Sequence, residues 1–174
     1  GTSYFAGQHG VEFFKELCNF NTVQIFDGAE FNEHDIPKKG TCGLLLISQS
    51  GETKDLHRCI DIGRTNNTLL IGLVNVVDSL IAREVDCGCY LNAGREVGVA
   101  STKAYSSQVV MLSMIAVWFS QQKEINESKR KQIIADLRQL PNDIQNTFIN
   151  LNEKIDTLIE TIFKNKRHCF LLGK

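Results

Sequence analysis

The chain has 174 residues, 43% of them hydrophobic, with 19 basic and 20 acidic side chains and a net charge of −1. That length suffices for one well-buried core with an added helical segment, and no basic patch stands out to favour nucleic acid. No apolar run approaches the roughly 20 residues that cross a bilayer, and the longest, Val109 to Phe119, is interrupted by Ser113.

Gly1-Thr2-Ser3 leads into a helix over about Ser3 to Cys18, where Phe5, Val11, Phe13, Phe14 and Leu17 recur at three- and four-residue spacing. A helix starting there reads as following directly on a first β-strand upstream. Val23-Gln24-Ile25-Phe26 alternates and is β-branched, which predicts a short strand. Leu44-Leu45-Leu46-Ile47 is a continuous apolar run, as in a central parallel strand covered on both faces. Lys54 to Thr65 is amphipathic, and Asn66-Asn67 ends it. Leu69 to Val74 predicts a second buried strand with Asn75 at its tip, Ser79 caps a short helix over Leu80 to Val85, and Cys87 to Leu91 is a last short strand. Strands alternate with helices over connections too long for hairpins, so the sheet is expected to be parallel. The predicted fold is α/β, three-layer α-β-α around a flavodoxin-like sheet.

From Ser101 the character changes. Ala104 to Gln122 is apolar nearly all round, which predicts a helix buried on both sides. After a charged bridge from Lys123 to Lys131, Leu137, Leu140, Ile144, Phe148, Leu151, Ile155, Leu158 and Ile162 form a helical seam that suits packing along another helix. Pro141 is expected to break that segment. A free-standing coiled coil is the alternative. His168-Cys169-Phe170-Leu171-Leu172-Gly173 reads as the first strand of a further domain.

Three turns carry the chemistry: Gly1-Thr2-Ser3, Ser48-Gln49-Ser50-Gly51-Glu52-Thr53, and Val99-Ala100-Ser101-Thr102. Each sits where a strand is expected to give way to a helix, and the carboxyl ends of parallel strands share one edge, where α/β sheets bind ligands. Helix starts there aim N–H groups at an anion. Ser48, Ser50 and Thr53 add neutral hydroxyls, and Gly51 permits close backbone approach. Together these suit a phosphorylated, polyhydroxylated ligand. For any one turn, a capped helix start with Ser50 as N-cap explains the residues as well. No GxGxxG or GxxxxGK[ST] follows any strand, against dinucleotide and P-loop sites.

The six cysteines form no CxxC pair and the four histidines are scattered, so no metal is expected. Reduced, buried thiols of a cytoplasmic protein account for the cysteines. Glu52 and Lys103 are the tempting acid–base candidates near the turns, and both read as structural: Glu52 favours a helix N-terminus and Lys103 a packing or ion-pair role.

GTS at the start, ISQSGET at 47–53 and NAGREVGVASTKAY at 92–105 resemble the sugar isomerase (SIS) domain of the glutamine–fructose-6-phosphate aminotransferase family over Gly1 to about Gln122. The resemblance implies an SIS domain over 1–122 without its first strand, a helical linker over 123–167, and the start of a second SIS domain at 168–174. It places sugar-phosphate contacts at Ser48, Gln49, Ser50 and Thr53, and further substrate contacts at Thr2, Ser3, Val99 and Ser101. The implied ligands are fructose 6-phosphate and glucosamine 6-phosphate, and the implied partners are a second SIS domain, a glutaminase domain and further copies in a homo-oligomer, with no cofactor. The family's catalytic glutamate, imine-forming lysine and histidine lie in or after the second SIS domain, so no catalytic residue is assigned here. Tyr90 and Arg95 replace the His and Pro of several eukaryotic members near the region that takes a UDP-sugar feedback inhibitor, so that inhibition is not carried over. The competing readings are a non-catalytic SIS-type sugar-phosphate sensor, which usually carries a DNA-binding domain, and an oligomerisation unit built on the apolar helices after Ala104.

Overall fold

A computed structural model describes residues 1–98, 101–168 and 170, the side chain of residue 153 excepted. Three strands, β1 (Gly43–Ser48), β2 (Leu69–Val74) and β3 (Cys87–Tyr90), lie parallel in the order β1-β2-β3. Their register sets Ser48 opposite Val74 and Val74 opposite Tyr90. The three carboxyl ends therefore finish on one level, and the segments that leave them start from a single edge.

Four helices cover this sheet: α1 (Thr2–Leu17), α2 (Lys54–Thr65), α3 (Leu80–Glu84) and α4 (Lys103–Gln122). Side chains alternate across a strand, and the alternation is used on both faces. Leu46, Leu70 and Val74 pack with Cys59 and Ile60 of α2, Ile81 of α3 and Phe31. On the other face Ile47 reaches Gly7 of α1, while α1 packs on α4 with Leu112 seated over Gly10. The layers are a helix pair, a sheet and a second helix pair. Leu17, Ile60, Leu70, Leu73, Ile81 and Leu112 are fully buried, each worth about 1.5–3 kcal/mol of transfer free energy.

The chain divides into two compact units, 1–130 and 131–174. All the elements above belong to the first. The second consists mainly of α5 (Glu127–Leu158), which begins at the end of the first unit and finishes in a π-turn over Ile159–Phe163.

Three expectations need correction. Val23–Phe26 joins no ladder among the described residues. Side-chain packing holds it instead: Ile25 lies against Gly7, and Phe26 meets Phe31 edge-on at 5.3 Å. Alternation reports a half-buried extended segment, and a strand additionally needs a neighbour about 4.8 Å away. On α4, Met114 and Trp118 are about half exposed, because packing on α1 buries the Leu112–Ala116 face and leaves the opposite one outward. Pro141 sits inside α5 without ending it. Proline removes one intrahelical hydrogen bond, and the helix continues on both sides, braced by Gln139 donating to Asp143 at 3.0 Å. The seam residues Leu140, Ile144, Phe148, Leu151, Ile155 and Leu158 are exposed. Cys169 and 171–174 lie outside the described residues, and with them most of the last expected strand.

Candidate functional site

The turn from Ser48 to Thr53 leaves β1 and enters α2. Thr53, rather than Ser50, is the N-cap, and its side chain caps nothing. Its hydroxyl shares a hydrogen with Ser48 Oγ at 2.9 Å, while Ser48 Oγ accepts the Gly51 N–H at 3.0 Å and Ser50 Oγ accepts the Glu52 N–H at 3.1 Å. The hydroxyls are thus arranged around the turn, and the first N–H groups of α2 have no side-chain cap. Such a helix start favours negative charge.

The turn is stitched to the segment after β2. Asn75 N–H donates to Gln49 O at 3.3 Å and Ile81 N–H to Gly51 O at 3.0 Å. Glu52 Oε1 accepts the Leu80 N–H at 2.8 Å. Glu52 thus serves the start of α3 and not, as expected, that of its own helix. Gly51 has φ +69°, and a Cβ there would lie 2.0 Å from Ser79 Oγ. Only glycine fits both the left-handed backbone and that approach.

Asn75 carries the connection onward. Its amide donates to Gly94 O at 2.8 Å, and its oxygen accepts the Ala93 N–H at 2.9 Å. These bonds hold the segment after β3 beside the 48–53 turn. Glu96 then ties that segment to α4: Oε1 accepts the Thr102 N–H at 2.5 Å and the Thr102 hydroxyl at 3.1 Å, and Oε2 accepts the Ser101 hydroxyl at 3.2 Å. The Thr102 N–H foremost, with both hydroxyls and the Ala104 N–H, holds the Glu96 carboxyl below its ordinary pKa against a smaller desolvation. Gln49, Ser50, Asn75, Val76, Gly94, Arg95 and Glu96 enclose an open hollow of about 460 Å³.

The expected site residues divide accordingly. Gln49 and Ser50 line the hollow. Ser48 and Thr53 stand behind them in the same turn, with Ser48 buried. Ser101 joins through Glu96. Ser3 is linked to α4, its Oγ accepting from Gln108 Nε2 at 3.0 Å. Thr2 is exposed at the start of α1 and is not among the residues around the hollow. Val99 lies outside the described residues. Lys103 has no ion-pair partner among them, and its Nζ lies near Gly94. Hydroxyls at strand ends give no sign of Glu96 or Gln108, nor of the bonds that Asn75 makes from its strand tip. Asn75 at a strand tip and a carboxylate five residues before Ser101 were the available signals.

Residues 1–118 match the family model described as the SIS domain. The chain belongs to the SIS domain family. Over all 174 residues this SIS chain is 43% identical to a protein of Acanthamoeba polyphaga mimivirus named probable glutamine–fructose-6-phosphate aminotransferase (isomerizing), of which it covers 28%. It is 35% identical over its full length to human glutamine–fructose-6-phosphate aminotransferase (isomerizing) 2, covering 25% of that protein. The chain thus spans about a quarter of the length of the curated relatives it matches. Among solved structures, the C-terminal domain of the Francisella tularensis glucosamine-fructose-6-phosphate aminotransferase superposes with a TM-score of 0.71 at 26% identity, over 97% of this chain and 47% of that one.

Among the described residues no group of three or more His, Cys, Asp or Glu side chains is placed to hold a metal ion, and no helix is long and apolar enough to cross a membrane. The five described cysteines are free thiols.

Proposed function

We propose that this SIS domain is the sugar-phosphate-binding half of the isomerase part of a glutamine–fructose-6-phosphate aminotransferase, which makes glucosamine 6-phosphate from fructose 6-phosphate and glutamine. The phosphate sits over the uncapped start of α2, held by N–H groups and by Ser48, Gln49, Ser50 and Thr53. The sugar extends toward the 94–96 segment and Ser101, and Thr2, Ser3 and Val99 are the further substrate contacts that the family resemblance implies. A glutaminase domain, a second SIS domain and further copies of the chain complete the assembly in the cytoplasm, and the catalytic groups come from outside these 174 residues.

The observation that carries this reading is the shared hollow of Gln49–Ser50 and Gly94–Glu96. Its volume of about 460 Å³ falls within the range of small-molecule sites. Neutral donors predominate around it, and the two nearby carboxylates, Glu52 and Glu96, are engaged with backbone N–H groups.

The test is calorimetric titration of fructose 6-phosphate into the wild-type chain and the Ser48→Ala/Thr53→Val variant. Loss of two hydroxyl contacts to a charged group weakens binding roughly tenfold to a hundredfold, with the far-ultraviolet spectrum unchanged. Equal affinity in both proteins, or no affinity in the wild type, overturns the assignment.

A further inference from the structure

Among the described residues, Glu96 is the one carboxylate that both lines the hollow and bonds to a second expected ligand-binding segment. It leaves an irregular stretch anchored on one side by Asn75 and reaches Ser101 and Thr102, just before α4, on the other. Its two oxygens are divided between partners. Oε1 takes the Thr102 N–H and hydroxyl, and Oε2 takes the Ser101 hydroxyl.

A serine hydroxyl has one hydrogen and two lone pairs. An ionised carboxylate accepts and never donates, so the Ser101 hydrogen is committed to Glu96. The Ser101 oxygen is left with its lone pairs as acceptors, and donation to a charge makes it a stronger acceptor. Ser3 has the opposite polarity: it accepts from Gln108 Nε2, which leaves its own hydrogen to donate. Of the two hydroxyls that the family resemblance assigns to the ligand, Ser101 is thus the acceptor and Ser3 the donor.

We propose that Glu96 is a positioning residue of the sugar site, fixing Ser101 as a hydrogen-bond acceptor for a hydroxyl of the bound hexose phosphate. The inference rests on the sugar-phosphate reading and deepens it. Glu96 acts on the sugar end alone, and the phosphate end belongs to the 48–53 turn. Glutamine at 96 keeps the shape and one oxygen for Thr102, but its amide group donates, which forces the Ser101 hydrogen to turn away from it toward the ligand.

The experiment compares fructose 6-phosphate with inorganic phosphate as calorimetric titrants of the wild-type, Glu96→Gln, Ser101→Ala and doubly substituted chains. Glu96→Gln is expected to weaken fructose 6-phosphate binding about five- to tenfold and to leave inorganic phosphate affinity unchanged. The double variant is expected to bind no more weakly than Ser101→Ala alone, since one residue acts through the other.

Three results overturn the proposal. They are unchanged or tighter hexose phosphate binding in Glu96→Gln, equal losses for both titrants, and losses that multiply in the double variant. If the wild type binds neither titrant, the sugar-phosphate reading falls and this proposal falls with it. If Ser48→Ala/Thr53→Val weakens binding while Glu96→Gln does not, only this proposal falls.

Discussion

Gly51→Ala isolates the requirement that shapes the 48–53 turn. The backbone at Gly51 has φ +69°, and the added Cβ would lie 2.0 Å from Ser79 Oγ and 2.4 Å from Ser79 Cβ. Two costs follow. A left-handed conformation costs a residue with a Cβ roughly 1–2 kcal/mol, and overpacking a buried contact costs roughly 1–3 kcal/mol. Their sum is about 2–5 kcal/mol of unfolding free energy, measured by urea titration with two-state behaviour checked by two probes. A second substitution separates the terms. Ser79→Gly removes both clashing atoms, and because Ser79 makes no side-chain cap bond, its own cost is only a few tenths of a kcal/mol on the cap scale. Gly51→Ala/Ser79→Gly is therefore expected to recover the steric part and retain about 1–2 kcal/mol of backbone strain. The turn also moves, so Gly51→Ala is expected to weaken fructose 6-phosphate binding. A destabilisation below about 0.5 kcal/mol, the usual range of neutral surface changes, would refute the claim that this contact fixes the turn.

Other substitutions test separate parts of the same account. Gln108 is fully buried with Oε1 unpartnered, so Gln108→Leu removes an orphaned polar atom and is expected to change stability by under about 1.5 kcal/mol, whereas Gln108→Ala opens a cavity and costs about 2–4 kcal/mol. Burial pushes the Cys18 and Cys59 thiols above their ordinary pKa, which lowers their thiolate fraction at neutral pH. Exposed Cys87 is expected to be alkylated first, with Cys18 and Cys59 reacting only in urea, as mass spectrometry of timed digests would read. Because Glu96 titrates below its ordinary value, its contribution is fully present above the unfolded pKa and is lost as pH falls through the lowered one. The Thr102 amide shift should therefore titrate on the acid side of 4.5, the unperturbed value, and a midpoint at or above that value would contradict the bonds described. Pro141→Ala restores a helical N–H inside α5 and is expected to raise helicity and stabilise that helix by up to about 3 kcal/mol; a loss of helicity would contradict this reading.

How much could be read without coordinates follows from the range of each signal. β1, α2 and β2 were legible because each carries its own pattern: a continuous apolar run, a 3.6-residue period, another run. Their parallel order followed from connection length. Val23–Phe26 shows the limit. Alternation is a property of one segment, and strand pairing is a property of two, so a half-buried stretch held by Gly7 and Phe31 gives the same local signal as a paired strand. Pro141 shows another. The penalty for proline in a helix is finite, and a helix of 32 residues with side-chain braces continues through it.

For the site, chemistry at strand ends was visible and its long-range stitching was not. Glu52 sat beside the right helix start in sequence, yet its acceptor serves Leu80, 28 residues away. Glu96 stood in the 92–105 stretch with no role of its own, yet it bonds to Thr102, the N-cap of α4. Both pairings share one physical consequence. A carboxylate facing an incoming phosphate monoester would repel it, and a carboxylate locked onto a backbone N–H has its charge partly balanced by a helix start. In the proposed site the turns thereby keep acidic residues that organise their geometry, while hydroxyls, amides and the start of α2, which has no side-chain cap, are left for the ligand. If that is the reason for both placements, converting either Glu52 or Glu96 to glutamine should gain little affinity from lost repulsion, and the cost in geometry should dominate. A variant at either position that bound fructose 6-phosphate more tightly would show that the charge had remained unbalanced.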